Sequence, residues 1–411
     1  MVSIEGKMVN IDGIKRGRIE IDNKGIISAV GLPTGHADLV LQEQLIFPGF
    51  IDLHVHAREC ADHSWDYKED FQSAGKAAIS GGVVAFADMP NNPTPPIDEI
   101  SYNQKLALTN KCEVEVLLYA GTNAHSKPLP FSVPYKVYIS KSVGDLFFDS
   151  YTDLNEVLVN YKGRNVSFHC EDPEILKTQA QAHTHDLKRP ERAESLAVEM
   201  ALNLIEKYQL KGKICHVSTQ AGMEKIILAK QRGVSVKVEV TPHHLFFDQT
   251  MLQTPEQITL QVNPPIRQSP ATRQYLISAL KKGDIDFIAT DHAPHAWAEK
   301  QAGVSGLPQL DTFGSFTTWL IETHGFSPQE ILKVCAYNPA QFFNEFSHFK
   351  YGELQTGSVG SLTILDLQKP ITIKKSQLQT KAHWSPFEGI TFPGSVAYTI
   401  VKGKIFSNGL I

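Results

Sequence analysis

The stretch IFPGFIDLHVH, residues 46–56, is an apolar run that ends in two histidines separated by one residue. A short apolar run bounded by turn-forming residues is typical of a buried β-strand. Side chains two residues apart on a strand point to the same face. We therefore expect His54 and His56 to present their imidazoles side by side at the end of this strand.

Seven more apolar runs follow along the chain, and amphipathic stretches with helical spacing lie between most of them. Such alternation predicts a parallel sheet with helical crossovers. Eight strands over about 250 residues suit a closed (β/α)8 TIM-like barrel. The link between the third and fourth runs lacks a helical pattern, which leaves a doubly wound open sheet as the alternative. The later runs are residues 82–89, 114–120, 135–139, 165–169, 213–217, 235–240 and 286–290.

Both ends of the chain differ from this middle part. Residues 2–39, 360–366 and 394–401 consist of short strand-like segments, and Gly403 and Gly409 mark turns between them. Two β-rich ends around a different middle indicate one small domain made from both termini. The predicted division is a small β-sandwich domain of residues 1–45 and 346–411 and a catalytic barrel of residues 46–345.

The composition narrows the class of protein. The chain has 411 residues, of which 42% are hydrophobic and 20% are charged, as in globular proteins. A formal net charge of -5 gives no general affinity for nucleic acid or anionic membranes. The five cysteines form no CxxC pair, and neither a signal pattern nor a membrane-spanning apolar run is present. These features predict a soluble cytoplasmic protein.

Ionisable side chains stand at the ends of five of the eight runs. The carboxyl ends of parallel strands meet at one rim of a barrel, where active sites form. Imidazole and carboxylate ligands suit a catalytic divalent ion such as zinc. One isolated histidine is more often structural, but an HxH pair with two further strand-end histidines and an aspartate favours a metal site. The residues are His54, His56, Lys136, His169, His216 and Asp291.

Two of these residues allow a second interpretation. A cationic Lys136 is a poor neighbour for a metal unless carbon dioxide carbamylates it to an anionic bridging ligand. From spacing alone, an ordinary surface lysine is the better interpretation. Asp291 could ligate a metal and take a proton from water, or it could cap a helix that follows the strand. The histidines nearby favour the first role for Asp291.

Two polar residues near the same strand ends could bind an anionic substrate. Arg58 follows the HxH pair by two residues and shares its face, and arginine binds carboxylates through two parallel hydrogen bonds. Without the HxH pair, Arg58 would be read as a solvated surface residue. Asn91 follows the second run, where a turn role and a site role are equally compatible with the sequence.

Several motifs resemble those of the dihydroorotases of the amidohydrolase superfamily, in order and over nearly the whole chain. The HxH motif is specific only to the superfamily, whereas DHAPH at 291–295 together with MPN at 89–91 points to the dihydroorotases. The other matching strings are PGFIDLHVHARE at 48–59, KVY at 136–138, ICHVS at 214–218, NPPIR at 263–267 and WSPFEG at 384–389.

The resemblance implies an activity and its metal site. The expected reaction is the reversible cyclisation of N-carbamoyl-L-aspartate to L-dihydroorotate and water in pyrimidine (UMP) biosynthesis. Two zinc ions are expected, with Asp291 as the general acid and base. One ion would be held by His54, His56 and Asp291, the other by His169 and His216, and carbamylated Lys136 would bridge the two.

The resemblance also implies how the substrate is held. Arg58, Asn91 and His295 would bind its α-carboxylate, while Asn263 and the loop at 306–308 would line its ring. The partner implied is thus a small molecule, and a homodimer and an association with aspartate carbamoyltransferase are left open.

The chain departs from the family pattern directly after Glu59. The family usually continues with Pro-Gly, whereas this chain continues with Cys60-Ala61-Asp62, so the contacts of this loop are not implied. Some bacterial dihydroorotases have an aspartate where Lys136 stands, and the lysine resembles the domain of the animal multifunctional protein. In such relatives a further zinc beside Cys215 and Glu239 is conceivable, and a buried unligated Cys215 is the favoured alternative.

Two other functions remain open at this stage. A hydantoinase or an allantoinase would share the metal ligands, and Arg58, Asn91 and His295 as a carboxylate-binding set favour dihydroorotase over both. A catalytically inactive partner of aspartate carbamoyltransferase would be expected to have lost metal ligands, whereas every matched ligand position is filled in this chain.

Overall fold

The computed structural model describes residues 1–33, 35–141, 144–148, 150–252 and 258–407, so the predicted turn at Gly409 lies outside the described residues. The strands are β1 (Val2–Asn10), β2 (Gly13–Ile21), β3 (Ile27–Gly31), β4 (Leu39–Pro48), β5 (Phe50–Val55), β6 (Val83–Asp88), β7 (Glu115–Leu118), β8 (Ala120–Gly121), β9 (Tyr135–Tyr138), β10 (Asn165–His169), β11 (Lys211–Ile214), β12 (Val236–Val240), β13 (Phe287–Ile288), β14 (Leu362–Asp366), β15 (Ile371–Thr372), β16 (Thr391–Phe392), β17 (Ser395–Val401) and β18 (Lys404–Ser407).

The α-helices lie between and after the strands of the central part. They are α1 (Phe71–Ser80), α2 (Glu99–Leu108), α3 (Tyr151–Leu158), α4 (Pro173–Thr178), α5 (His185–Lys188), α6 (Glu191–Tyr208), α7 (Gln220–Gln231), α8 (Pro242–Phe246), α9 (Pro270–Lys282), α10 (Trp297–Gln301), α11 (Phe313–His324), α12 (Pro328–Leu332) and α13 (Asn338–Phe343). None of the helices in the described ranges is long and apolar enough to cross a membrane.

A seven-stranded sheet is built from both ends of the chain. Its strand order is β18-β17-β14-β4-β1-β2-β3, so the C-terminal strands join the N-terminal ones at the β14–β4 pair. One face covers an apolar cluster of its own, with Ile4, Ile19 and Ile364 fully buried. The predicted boundary after residue 45 falls within β4, which continues to Pro48, and the division into two domains stays a prediction.

The central strands pair in parallel and in chain order from β5 to β13. β7 and β8 together occupy the third position, since only Tyr119 separates them. β5 and β6 are buried at every residue, which is typical of parallel strands covered on both faces. Residues 122–134, in the link from the third to the fourth position, contain no helix, as the sequence indicated.

The first strand also contacts the segment that follows the eighth. Val55 forms a parallel bridge with His292, and the His56 N–H donates to the His292 carbonyl at 2.8 Å. Thr290 N–H donates to the Asp52 carboxylate at 3.1 Å. These contacts join the two ends of the strand series, as the predicted (β/α)8 barrel requires, and the predicted α/β fold class is confirmed.

Amphipathic spacing in the sequence predicts helices over 69–80, 191–208 and 220–231. The last two coincide with α6 and α7, whereas α1 begins at Phe71, two residues later than predicted. Asp70 caps α1 and forms a capping box with Ser73, and Thr219 caps α7 by accepting the Gly222 N–H. The sixth apolar run differs from its prediction: β11 ends at Ile214, and His216 lies beyond the strand.

The end of α1 packs closely against the turn that precedes α11. A Cβ at Gly81 would lie 1.9 Å from the Leu310 carbonyl oxygen, and the Gly314 N–H donates to the Gly81 carbonyl at 2.8 Å. No side chain larger than hydrogen fits at residue 81 without moving backbone.

We expect Gly81→Ala to lower the free energy of unfolding by about 1–3 kcal/mol, because overpacking forces the backbone to shift. Urea denaturation followed by circular dichroism measures the change. The matched control is Gly31→Ala, where a Cβ meets no atom within 4 Å. Equal stabilities of the two variants would contradict this packing.

Candidate metal centre and substrate pocket

A pocket of about 290 Å³ opens at the carboxyl ends of the central strands. Its walls include all the predicted site residues except Lys136, which lies buried beneath them. The predicted residues that line it are His54, His56, Arg58, Asn91, His169, His216, Asn263, Asp291 and His295, together with Gly306 of the predicted ring-lining loop.

The HxH pair lies against the aspartate that follows the eighth strand. His54 Nε2 is 3.2 Å from Asp291 Oδ1, and His56 Nε2 is 3.0 Å from the same oxygen. Asp291 does not cap a helix, since α10 begins only at Trp297. One carboxylate oxygen and two imidazole nitrogens therefore converge, which is a donor set that suits a divalent metal ion.

Neighbouring acceptors determine which nitrogen of each imidazole faces the pocket. His54 Nδ1–H donates to Glu239, and His56 Nδ1–H donates to Asn91 Oδ1 at 2.7 Å. Each ring then turns an unprotonated Nε2 toward Asp291. Hydrogen bonds of this kind orient metal-binding histidines and raise their basicity. Asn91 thus has a site role, one of the two roles that the sequence allowed.

The other two histidines form a second pair of donors. His169 Nδ1 and His216 Nε2 are 2.9 Å apart. His169 Nε2–H donates to Glu171 at 2.9 Å, and Glu171 also receives a hydrogen bond from Arg189. Burial alone would raise the pKa of Glu171, but the Arg189 charge and the His169 hydrogen bond lower it to about 2. Glu171 is therefore a permanent anion that holds the His169 tautomer.

Lys136 is fully buried, so the surface-lysine interpretation is wrong. Its Nζ donates to Cys215 Sγ at 2.8 Å. Lys136 lies close to the metal-donor histidines, since burial lowers the pKa of His54 and His216 and the Lys136 charge lowers it further. Among the described residues no carboxylate forms an ion pair with it. An uncompensated buried ammonium is costly, and conversion to an anionic carbamate beside metal ions would remove that cost.

Burial determines the protonation of the donor set. It lowers the pKa of His54, His56 and His216 well below the usual value, so these rings are neutral and able to bind metal. It raises the pKa of Asp291 to about 7, against the opposing charge of Lys136. The residues present therefore fit a metal centre, because unprotonated imidazole nitrogens and a carboxylate oxygen can donate their lone pairs to a divalent cation.

Groups that suit an anion also line this pocket, close to the HxH pair. Arg58 is buried, and its guanidinium donates to the Pro294 carbonyl at 3.2 Å and to His295 Nε2 at 3.1 Å. Burial lowers the pKa of Arg58 to about 10, so it stays charged near neutral pH. Among the described residues, Asn263 Oδ1 and His295 Nδ1 are buried without a hydrogen-bond partner, and His295 Nδ1 lies 3.6 Å from Glu299 Oε2. The Arg58 guanidinium is thus held in place by its contacts with Pro294 and His295.

Three site residues have positive φ although none is glycine. The angles are 63° at Arg58, 36° at His216 and 50° at Asp291. Non-glycine residues in this region are strained and persist only where surrounding structure holds them, commonly at functional sites. Each of the three follows the end of its strand, and the turn directs its side chain into the pocket.

A second donor cluster lies beneath the HxH pair. Ligand atoms of His54, Cys215 and Glu239 lie within 4.8 Å of one another. Lys213 forms a buried ion pair with Glu239 and already neutralises it. The pair favours the predicted unligated Cys215 over a further zinc ion.

Sequence reasoning missed several residues of the pocket. Tyr138 lies two residues after Lys136, so the period of a strand could have found it. Lys141 and Arg189 also line the pocket, but neither lies at a strand end. Lys300 supports the wall from behind, since its buried Nζ donates to the carbonyls of Gln261, Val304 and Gly306.

The chain is similar to a known protein family and to known sequences. The sequence model of the Amidohydrolase family matches residues 152–406. The chain is 32% identical to a dihydroorotase of Thermococcus kodakarensis over 99% of this chain and 94% of the relative. It is 31% identical to a dihydroorotase of Pyrococcus furiosus over 98% of this chain and 92% of that relative.

Solved structures share the fold at lower identity. An L-hydantoinase (dihydropyrimidinase) from Arthrobacter aurescens superposes with a TM-score of 0.89 at 23% identity, over 100% of this chain and 97% of that one. A D-hydantoinase (dihydropyrimidinase) from Thermus sp. has a TM-score of 0.85 at 20% identity, over 100% and 96% of the two chains. At these identities the likeness shows the fold alone.

We expect Glu171→Gln to weaken zinc binding by roughly 10–100-fold, because the amide no longer holds His169 with a charged acceptor. Competition against a chromophoric chelator measures the affinity. Glu174→Gln, an exposed change three residues away, is the control and should leave the affinity unchanged. Wild-type affinity in Glu171→Gln would contradict the role of this carboxylate.

Proposed function

Because the chain belongs to the amidohydrolase family and, within it, to the dihydroorotases, we propose that its pocket interconverts N-carbamoyl-L-aspartate and L-dihydroorotate in pyrimidine biosynthesis. The observation that carries this proposal is the convergence of His54, His56 and Asp291 in the same pocket as a buried Arg58. Metal-binding donors together with a carboxylate-binding group match a substrate that contains a cyclic amide and a carboxylate.

The family is metal-dependent, and the pocket offers donors for two zinc ions. His54, His56 and Asp291 would hold one ion, His169 and His216 would hold the other, and carbamylated Lys136 would bridge them. The orientation of the rings supports metal binding, since His54, His56 and His169 each use one ring nitrogen on a carboxylate or amide acceptor and leave the other free. Ligand atoms of His54, His216 and Asp291 lie within 4.8 Å of one another, so the two proposed sets of donors are neighbours. When bound, the metals supply Lewis acidity that lowers the pKa of water and polarises the substrate carbonyl.

Arg58 would orient the substrate through its α-carboxylate, with Asn91 and His295 beside it. The contact of the guanidinium with His295 and with the Pro294 carbonyl keeps it in place before the substrate arrives. Asn263 and the loop containing Gly306 would line the ring. A substrate held in this way loses less entropy on reaching the transition state, and this effect accounts for much of the rate of oriented reactions.

Asp291 would move the proton. In hydrolysis it accepts a proton from the attacking water and gives it to the leaving ring nitrogen, and in synthesis it removes a proton from the attacking carbamoyl nitrogen. Its position between His54 and His56 supports this role, because it lies at the metal-binding wall and at the pocket surface at once.

Lys141 and Arg189 support an acidic substrate over hydantoin or allantoin. Together with Arg58 they place three cationic side chains around a small pocket, and the pairing of Arg189 with Glu171 cancels only one of these charges. A neutral cyclic amide would gain nothing from Arg58. Location in the cytoplasm, a homodimer and an association with aspartate carbamoyltransferase stay predictions.

We expect purified protein to hydrolyse L-dihydroorotate, seen as a loss of ultraviolet absorbance, and to leave hydantoin and allantoin unchanged. A chelator should abolish the turnover and zinc should restore it. Turnover of hydantoin or allantoin instead would assign the chain to another cyclic amidase. Absence of both turnover and bound metal would favour the inactive partner of aspartate carbamoyltransferase.

We expect Asp291→Asn to retain bound zinc and to lose most turnover in both directions, because the amide cannot carry the proton. The loss should be at least about 100-fold, the lower end for a positioned acid or base. Metal analysis of the same preparation separates a lost proton carrier from a lost ligand. Wild-type rates in this variant would remove Asp291 from the role of base.

A further inference from the structure

Tyr138 has a buried hydroxyl with no hydrogen-bond partner among the described residues. Its side chain is almost fully buried, yet it lines the pocket. A buried hydroxyl that makes no hydrogen bond costs stability, so such groups are nearly always satisfied by protein, water or a ligand. Because this one faces a binding pocket, a bound molecule is the natural partner.

The position of Tyr138 places its ring at the metal-binding wall. It lies two residues after Lys136 on β9 and therefore on the same face of that strand. Its ring centroid is 5.2 Å from Lys136 Nζ and 5.9 Å from the His169 ring. In the proposed function the reacting carbonyl of the substrate would lie against the metal-binding residues. Tyr138 therefore stands beside the reacting end of the substrate.

Other buried tyrosines of the barrel are satisfied by protein groups. Tyr119 donates to the Leu53 carbonyl at 3.3 Å, and Tyr161 donates to Ser126 Oγ at 3.0 Å. Tyr102 donates to the Leu118 carbonyl at 3.2 Å. The unused donor at Tyr138 is therefore not a general property of buried tyrosines in this chain.

We propose that the Tyr138 hydroxyl donates a hydrogen bond to the oxygen of the reacting carbonyl carbon and stabilises the negative charge that develops there. Charge on this oxygen increases between the bound substrate and the transition state, whichever direction the reaction takes. The hydrogen bond from a hydroxyl already in place becomes stronger as that charge develops, and the protein does not have to rearrange to form it. This inference rests on the proposed function, and it adds a catalytic residue that contacts the substrate.

The test is Tyr138→Phe, which removes the hydroxyl and keeps the ring. We expect kcat for L-dihydroorotate to fall by about 100-fold, the lower end for loss of one such donor, with KM changed less than about threefold. Both directions should be slowed by the same factor. Tyr119→Phe is the matched control, and its kcat should stay within about twofold of wild type.

The outcomes separate this inference from the proposed function. Wild-type turnover of L-dihydroorotate establishes the function, whatever the variant does. An unchanged kcat in Tyr138→Phe, or a raised KM at constant kcat, would overturn the role in the transition state. Zinc content and thermal midpoint no lower than those of the wild type would show that the site is intact in Tyr138→Phe.

If Tyr138→Phe does not fold, 4-fluorophenylalanine at residue 138 replaces it as the probe. Its fluorine fills nearly the volume of the hydroxyl but donates no hydrogen bond. We then expect kcat to fall by about 100-fold, as for the loss of one such donor. A kcat equal to that of the wild type would refute the proposal.

Discussion

The contact between the first strand and the segment after the eighth is the constraint on which the site depends. The His56 N–H donates to the His292 carbonyl, and Val55 bridges His292. This pairing brings Asp291 to the HxH pair, although His56 and Asp291 are 235 residues apart in the chain. Asp52 strengthens the same closure by accepting both the N–H and the hydroxyl of Thr290. Without closure the donors of a metal would lie on opposite edges of a sheet.

Buried charges then hold the donors in place. Glu239 fixes His54 and is itself neutralised by Lys213, while Glu171 fixes His169 and pairs with Arg189. Removing one partner of a buried pair typically costs about 3–5 kcal/mol, because the other charge is left without compensation. His54 and His169 are therefore each oriented by a carboxylate that cannot easily move. The arrangement explains how the pocket keeps several neutral histidines close together.

The C-terminal part of the chain also supports the site. His292 accepts the N–H groups of Gln309 and Leu310, and its other nitrogen faces Glu69 at 3.3 Å. Glu69 in turn receives the Thr380 hydroxyl, and Trp384 Nε1 donates to the His295 carbonyl at 2.9 Å. Residues of the predicted small domain thus contact the DHAPH segment directly. Trp384, the first residue of the WSPFEG motif, therefore has a structural role, because its side chain holds the DHAPH segment at His295.

The sequence by itself determined what depends on local spacing. The two-residue separation in the HxH pair, the bounds of α6 and α7 and the order of the strand-end histidines were all predictable, because one strand or helix sets its own period. The resemblance of its motifs to those of the dihydroorotases indicated the family. Only the tertiary structure decided that Lys136 is buried, that His216 lies beyond β11, and which carboxylates hold His54 and His169. Those features depend on how distant segments pack once the barrel closes, and no local pattern encodes that packing.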